Sequence, residues 1–471
     1  MSVFHSGIEK STLRALFGAS GQRIHFIGAG GVGLYSLARL ALARGHAVSG
    51  SDIRPSRLLC DLILRGADIR IGHAPELLSE CALAVYTLAI AEDDPELLAA
   101  EAAGVPISSR AELLGAVMEN YTTRIGISGS HGKSTTTAMI DAIYRKADRS
   151  PTTLVGANLP ITGLPVRIGG EETLIYEACE YKDSFLHFSP THALYTSLEL
   201  DHTDYFKTEE AIISSFRQSA RTAGRAVFNA DDSNLLKISK EMGRGLVTYG
   251  EESGDIRGEI KPREQGKYSL KIRHASGVMP EILLNIPARY NARNALSAAA
   301  LAITEGVGED AICSALSDFC GIERRLEPIG KAGDFSLYYD YAHHPTEIAS
   351  AISALREISK LPVTVIFKPH TYSRTRAFQK ELAAALSLAD RVVLLEVDPV
   401  RESPDQKASS EVLLSRISAT ASLVPDGLAA SLSLSGRPSS VVLMGAGDVS
   451  RVLSELKSLT RVKKSAENDG E

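Results

Sequence analysis

The sequence predicts an α/β protein of three open-sheet domains, on three observations. Two short apolar strands each run into a glycine-rich turn and then a helix, at Gly28 to Gly33 and at Gly129 to Lys133. Strand–helix alternation starts afresh at Ser336, with polar residues gathered behind the strands. The chain has 471 residues, too many for one hydrophobic core. The expected divisions are 1–111, 112–325 and 326–471.

The first strand, Arg23 to Ile27, ends in Gly28-Ala-Gly-Gly-Val-Gly33, and a helical run follows from Leu34 to Ala43. A second strand, Ala47 to Ser51, closes on Asp52, about twenty residues after the turn, as in a Rossmann-like βαβ unit. A nicotinamide or flavin dinucleotide and the diphosphate of a UDP-sugar both suit this backbone geometry. Further alternation predicts helices near 56–64 and 95–103, strands near 69–71 and 83–87, and a helix over 110–118 leading into the next domain.

The central segment turns on Ile125-Gly-Ile-Ser-Gly-Ser-His-Gly-Lys-Ser134, a strand, turn and helix start. Successive N–H groups of such a turn cradle phosphates, Lys133 places an ammonium on them, and the Ser134 hydroxyl suits a magnesium ion. This is a shortened P-loop, with Ile127 where the full spacing has glycine. Two more apolar strands end in Glu177-Ala-Cys-Glu180 and in Glu199-Leu-Asp-His-Thr-Asp204, placing carboxylates and His202 where α/β sheets bind ligands. Residues 255–286 read as an antiparallel appendage. Asn291 and Asn294, one helical turn apart, either face an adenine edge or cap the helix start. Phe319 to Arg325 reads as a domain junction with a basic pair.

The last segment is again Rossmann-like. A strand ends in Asp340-Tyr-Ala-His-His-Pro-Thr-Glu347, another in Lys368-Pro-His-Thr-Tyr-Ser-Arg-Thr-Arg376, and a third in Gly445-Ala-Gly-Asp448. Arg374 and Arg376 offer forks for a carboxylate or a phosphate. The tail from Lys463 is charged and expected to be disordered.

Composition excludes several classes. A net charge of −6 leaves no broad basic face for nucleic acid. Cys60, Cys81, Cys179, Cys313 and Cys320 are odd in number and lack any C-x-x-C pair, as in a reducing compartment. Residues 1–22 lack the continuous apolar core of a signal peptide, and no stretch approaches a membrane span. A cytoplasmic protein is expected.

In order, Gly28 to Gly33, Gly129 to Ser134, Glu177 to Glu180, Asp201-His202, Asn291-x-x-Asn294, Arg324-Arg325, Asp340 to Glu347 and Pro369 to Arg376 resemble the motifs of the Mur ligases over about residues 20–460. The resemblance implies an ATP-dependent acid–amino-acid ligase of peptidoglycan synthesis, using Mg2+ and acting as a monomer or weak homodimer without nucleic acid or membrane. Its implied substrates are UDP-N-acetylmuramate and L-alanine, with another amino acid or a peptide as the alternative. By the same resemblance, Gly28, Ala29, Gly30, Gly31, Val32, Gly33, Asp52 and His73 hold the UDP-sugar. Gly129, Ser130, His131, Gly132, Lys133, Ser134 and Thr135 hold ATP, with Asn291, Asn294, Arg325 and Asp340. Ser134, Glu177 and His202 organise the metal, while Lys133, Glu177, His202, His344 and Arg374 form the catalytic set. Position alone makes His344 or His202 the candidate proton acceptor.

The chain departs from the family pattern at Thr371, where many members carry arginine, and at Cys179, where many carry aspartate; Ser130 and Ser134 replace threonine but keep the hydroxyl. A nicotinamide-dependent oxidoreductase, resting on the first glycine turn, leaves Lys133 without a role. A catalytically silent nucleotide-binding module is the remaining alternative.

Overall fold

The computed structural model describes residues 8–88, 90–243, 245–400 and 402–468, with side chains to residue 460. Its strands form three sheets. In the first, Arg23–Ile27 is central, flanked by Ala47–Asp52 and Asp68–Ile71 on one side and by Leu83–Tyr86 and Ile107–Ser109 on the other, all parallel. The strand order reverses beside Arg23–Ile27, so its glycine turn opens into the crevice where such sheets take ligands.

The second sheet has eleven strands. Thr123–Ser128 lies between Thr173–Glu177 and His192–Tyr195, parallel to both. The middles of these short strands, Ile125 to Ile127, Leu174 to Tyr176 and Ala193 to Tyr195, are buried, as a sheet covered on both faces requires. Residues 255–286 prove to be a continuation of this sheet: Leu246–Gly250 pairs with Ile256–Pro262, which turns back antiparallel as Tyr268–His274. At the opposite edge an unexpected hairpin joins Thr152–Leu159 to Leu164–Arg167. Gly156, Ala157 and Asn158 hid it, being poor strand formers.

The third sheet sets Phe335–Asp340, Ser440–Met444, Val363–Phe367, Arg391–Leu394 and Thr420–Leu423 parallel, with Glu327–Ala332 antiparallel on the edge. The last helix, Ser450–Asn468, takes in part of the tail expected to be disordered; residues 469–471 lie outside the described residues.

One core crosses the first boundary. Phe17, Tyr35 and Leu113 belong to the same buried cluster as Leu174, Tyr176 and Phe216. Helix Arg110–Val117 is buried nearly all round, because it packs between helix Lys10–Gly18, the first sheet and the segment Tyr181–His187 instead of facing water on one side. The third sheet keeps two cores of its own, one on each face.

Candidate active site

The turn after Thr123–Ser128 is built by two glycines at positive φ, Gly129 (146°) and Gly132 (82°). A side chain at Gly129 would collide with Thr196 Oγ1, and one at Gly132 with Asn294 Oδ1. Glycine is required at both, for conformation and for room. Gly132 caps helix Lys133–Lys146, whose first-turn N–H groups and dipole suit an anion. Lys133 Nζ folds back onto the Gly129 carbonyl and lies 3.0 Å from Glu180 Oε1. Burial works against its charge, but Glu180 outweighs burial and raises its pKa, so the ammonium persists.

Beside it, Ser134 Oγ donates to Glu177 Oε2 at 2.8 Å, and that oxygen also accepts the Gly156 N–H at 2.8 Å. His202, held at a positive φ of 51°, directs Nε2 to within 3.7 Å of Glu180 Oε1. Glu180 is wholly buried, yet its Oε2 has no partner among the described residues. A desolvated, half-satisfied carboxylate beside a hydroxyl and a second carboxylate is a donor set that suits a hard divalent cation. Ser134, Glu177 and His202 therefore fit a magnesium ion, and Glu180 joins them.

The third sheet closes over this group. Arg374 Nη2 meets Asp201 Oδ1 at 2.5 Å, and both residues are buried. Burial alone would raise the Asp201 pKa; the charges of Arg374, His202 and His343 drive it well below the carboxylate range. His131 Nδ1 lies 3.2 Å from Glu347 Oε1 and its Nε2 3.3 Å from Glu199 Oε2, while Thr346 Oγ1 donates to Glu199 at 2.9 Å. Those carboxylates overcome burial and raise His131 to about 10; His131 in turn lowers Glu199 to about 2. His344 is different. It is buried, neither ring nitrogen has a hydrogen-bond partner among the described residues although Nδ1 lies 3.8 Å from Glu199 Oε2, and burial lowers its pKa. Burial likewise lowers His343 to about 4.

Thr371 stands at the head of the short helix Tyr372–Ala377, and its hydroxyl accepts the Arg374 N–H at 3.4 Å. Arg376 points elsewhere, to Asp405.

Two cavities meet at the loop. One, of about 740 Å³, is lined by Val32, Lys133, Ser134, Glu177, His202, His343 and Arg374 among others, and so touches residues of all three sheets. The other, of about 560 Å³, runs behind the loop past Thr135, Tyr249, Asn294, Arg325 and Asp340. Burial raises Asp340 to about 6, although it accepts the Leu326 and Ala342 N–H groups. Asn294 lines this second cavity, but the Asn291 amide donates to the Pro287 carbonyl at 2.8 Å instead.

At the first glycine turn, Gly28 has φ 84° and the Gly30 N–H donates to Asp52 Oδ2 at 2.9 Å. His73 is half exposed, 3.7 Å from both Asp94 and Glu96. Beneath lies a residue that sequence reading missed. Glu96 is fully buried and binds Ala74 N–H (2.6 Å), Ser51 Oγ (2.7 Å) and His25 Nε2 (3.1 Å). No motif marks it. Its only sequence signal is a carboxylate in a helix start, which usually means a dipole contact.

Comparison with known proteins fits this arrangement. Three family models match in succession: the Mur ligase family catalytic domain over residues 23–122, the Mur ligase middle domain over 127–302, and the Mur ligase glutamate ligase domain over 324–447. The chain belongs to the Mur ligase family. Among curated members, the UDP-N-acetylmuramate–L-alanine ligase of Clostridium novyi is 37% identical over 84% of this chain and 87% of its own length. That of Caldicellulosiruptor bescii is 40% identical over 82% and 86%. Among solved structures, the UDP-N-acetylmuramate–alanine ligase of Thermotoga maritima shares the fold at a TM-score of 0.79 and 24% identity, covering 95% of this chain and all of that one. A further Mur ligase from Thermotoga maritima, solved with ADP, shares it at 0.60 and 17%, covering 88% of this chain and 96% of that one. For a Mur ligase, the first glycine turn carries no reason to expect a nicotinamide.

Proposed function

We propose that this chain joins L-alanine to the lactyl carboxylate of UDP-N-acetylmuramate at the expense of ATP, forming ADP and phosphate. What carries this reading is the cavity shared by the three sheets, with Val32 on one side, Lys133, Ser134 and Glu177 on another, and His343 and Arg374 on the third. The curated relatives of that activity, matching over most of their length, favour alanine over the alternative of another amino acid or a peptide. In this reading the domains 1–111, 112–325 and 326–471 hold the UDP-sugar, ATP and the amino acid respectively.

An ionised carboxylate is a poor electrophile, so the lactyl oxygen first takes the γ-phosphoryl group of ATP and releases ADP. Lys133 and the first-turn N–H groups of helix Lys133–Lys146 position that group and offset its charge. Ser134, Glu177 and His202, with Glu180, would hold Mg2+, which supplies further charge neutralisation. The amine then attacks the acyl carbon, forming the C–N bond and expelling phosphate. His202 or His344 takes the proton: His202 lines the three-sheet cavity beside the metal group, whereas His344 is buried behind it with Nδ1 3.8 Å from Glu199 Oε2. Asn294, Arg325 and Asp340 serve the nucleotide from the second cavity, and Arg374, which lines the three-sheet cavity while paired with Asp201, receives the amino-acid carboxylate. Closure of the third domain keeps water from the acyl phosphate.

None of the described helices is long and apolar enough to cross a membrane, and the five cysteines are unpaired. In this reading the enzyme works in the cytoplasm, as a monomer or weak homodimer. The test is phosphate release from Mg-ATP with UDP-N-acetylmuramate and a panel of L-amino acids, with product masses. Preference for alanine supports the reading; preference for another amino acid moves the specificity, and silence with all of them overturns it.

A further inference from the structure

Three loops leave neighbouring parallel strands of the third sheet at their carboxyl ends and meet around one residue. They follow Val363–Phe367, Arg391–Leu394 and Ser440–Met444. Asp398 ties them together. Its N–H donates to the Pro369 carbonyl at 2.9 Å, and its own carbonyl accepts the Thr371 N–H at 2.9 Å. Its carboxylate accepts the Val400 N–H on Oδ1 at 3.1 Å and the Asp448 N–H on Oδ2 at 2.7 Å. The third loop comes so close that a Cβ on Gly447 would collide with Asp398 Oδ2.

What the loops carry into the three-sheet cavity is a short run of apolar surface. Thr371, Val400 and Ala446, one from each loop, all line it. The Val400 side chain is not packed away, since the residue is 53% exposed. Thr371 and Val400 hold positive φ, 62° and 55°, and they are the only β-branched residues to do so among the described residues. Such side chains resist this conformation, and it persists at functional sites where the surroundings over-determine it. Here the surroundings are the bonds of Asp398.

This wall stands beside the arginine that receives the amino-acid carboxylate. Thr371 caps the helix that bears Arg374, and Arg374 Nη1 turns back to within 3.5 Å of His370 Nδ1, next to Thr371 in the chain. In an α-amino acid the carboxylate and the side chain leave the same carbon. A carboxylate on Arg374 therefore brings the side chain within reach of whatever borders that guanidinium.

We propose that Thr371, Val400 and Ala446 pack against the side chain of the incoming amino acid and limit it to the size of a methyl group, and that Asp398 is the residue that positions them. The inference rests on the proposed function for the presence of an amino acid in this corner. It gives Thr371, where many family members carry arginine, a part in choosing the side chain.

The test is steady-state turnover of glycine, L-alanine, L-2-aminobutyrate and L-valine by the whole enzyme and by Val400→Gly, Thr371→Gly, Ala446→Val and Asp398→Asn, with all KM values and thermal midpoints. Glycine adopts positive φ freely, so the first two variants open the wall and keep the turns. Each is expected to raise kcat/KM for 2-aminobutyrate relative to alanine by about tenfold or more, the scale of one methylene in an apolar pocket. Ala446→Val narrows the pocket and should lower alanine relative to glycine by a similar factor. Asp398→Asn keeps the shape but turns one acceptor toward an N–H as a donor. It should raise the KM for alanine severalfold, hold those for ATP and UDP-N-acetylmuramate, and let 2-aminobutyrate gain on alanine. A fall in kcat shared equally by all amino acids in Asp398→Asn, with ratios and KM values unmoved, overturns its positioning role. Unshifted ratios in both glycine variants and in Ala446→Val overturn the wall. A wild-type preference for 2-aminobutyrate or valine overturns the size limit. If Asp398→Asn does not fold, the three wall variants decide. A wild-type enzyme silent with every amino acid defeats the proposed function itself, whereas one that turns over alanine, with every ratio unshifted in the variants, defeats only this inference.

Discussion

The two glycine turns begin from nearly the same local design and end with different chemistry. Each follows a central parallel strand, uses a glycine at positive φ, and opens a helix. Around Gly28 to Gly33 the polar work is done by backbone: Gly28 and Ala29 N–H groups bond the Ser51 carbonyl, and one carboxylate, Asp52, takes the Gly30 N–H. Around Gly129 to Lys133 the same backbone is ringed by ionisable side chains from two sheets, Lys133, Glu177, Glu180, Glu199, His202 and Glu347 among them. A strand–turn–helix unit is enough to hold a diphosphate. Moving a phosphoryl group takes charges that approach and separate, and these come from strand ends and from another domain.

The largest expected effect of breaking this contrast is at Lys133. Lys133→Ala should lower kcat by about a hundredfold to a thousandfold, the usual scale for removing a positioned charge-stabilising donor, while UDP affinity stays put. Steady-state phosphate release and UDP calorimetry measure the two sides; loss of UDP binding as well would mean that the turns are not separable.

Alanine substitution at the two strained glycines sharpens the same point. At Gly28 a Cβ meets Thr87 Cγ2 at 3.4 Å and Leu34 Cδ1 at 3.9 Å, both ordinary contacts, so Gly28→Ala should cost about 1 kcal/mol for the positive φ alone. At Gly129 it runs into Thr196 and the Ser197 backbone, so Gly129→Ala should cost about 3 kcal/mol or more and abolish ATP binding. Urea unfolding midpoints, read with nucleotide titrations, give the comparison. Equal costs would show that the second turn yields as easily as the first.

Glu96 tests the first turn from beneath. Ser51 joins the buried carboxylate through its hydroxyl and the turn through its carbonyl, and Ala74, beside His73, is bound to the same carboxylate. Glu96→Gln keeps the shape but cannot satisfy every donor, a loss of about 1–3 kcal/mol. The KM for UDP-N-acetylmuramate should rise while that for ATP holds. Equal rises in both would make Glu96 a general stability residue.

Much of the candidate site was legible because its residues follow strands: Lys133, Ser134, Glu177, His202 and Asp340 each stand just behind an apolar run. What sequence withheld is what packing decides. The Asp201–Arg374 pair spans 173 positions and His131–Glu347 spans 216, so no local spacing announces either contact. Asn291 illustrates the reverse: its helical spacing from Asn294 suggested a shared face, but the nearby Pro287 carbonyl takes its amide. The fold was read by the same rule. Apolar strands were found, and the hairpin of Thr152–Leu159 with its Gly-Ala-Asn centre was not, since its pairing depends on the neighbouring strand Thr173–Glu177.

The smallest effect concerns the seam that completes the second turn. His131 is raised to about 10 from 6.5, so its bond to the carboxylates stabilises closure fully below pH 6.5 and is lost as pH rises through 10. Glu199 is lowered to about 2 from 4.5, so its share is present above pH 4.5 and is lost as pH falls through 2. Both shares are whole only between about pH 4.5 and 6.5, and the seam weakens on either side. Because the Glu199 side chain is 41% exposed, solvent screens the pair, and the gain is expected to stay below about 1 kcal/mol. Unfolding midpoints of wild type and Glu199→Gln, compared from pH 4.5 to 10, should differ most near pH 5.5 and converge toward pH 10. A constant difference across that range would mean that Glu199 acts through its bond to Thr346 alone, and that the seam carries no charge of consequence.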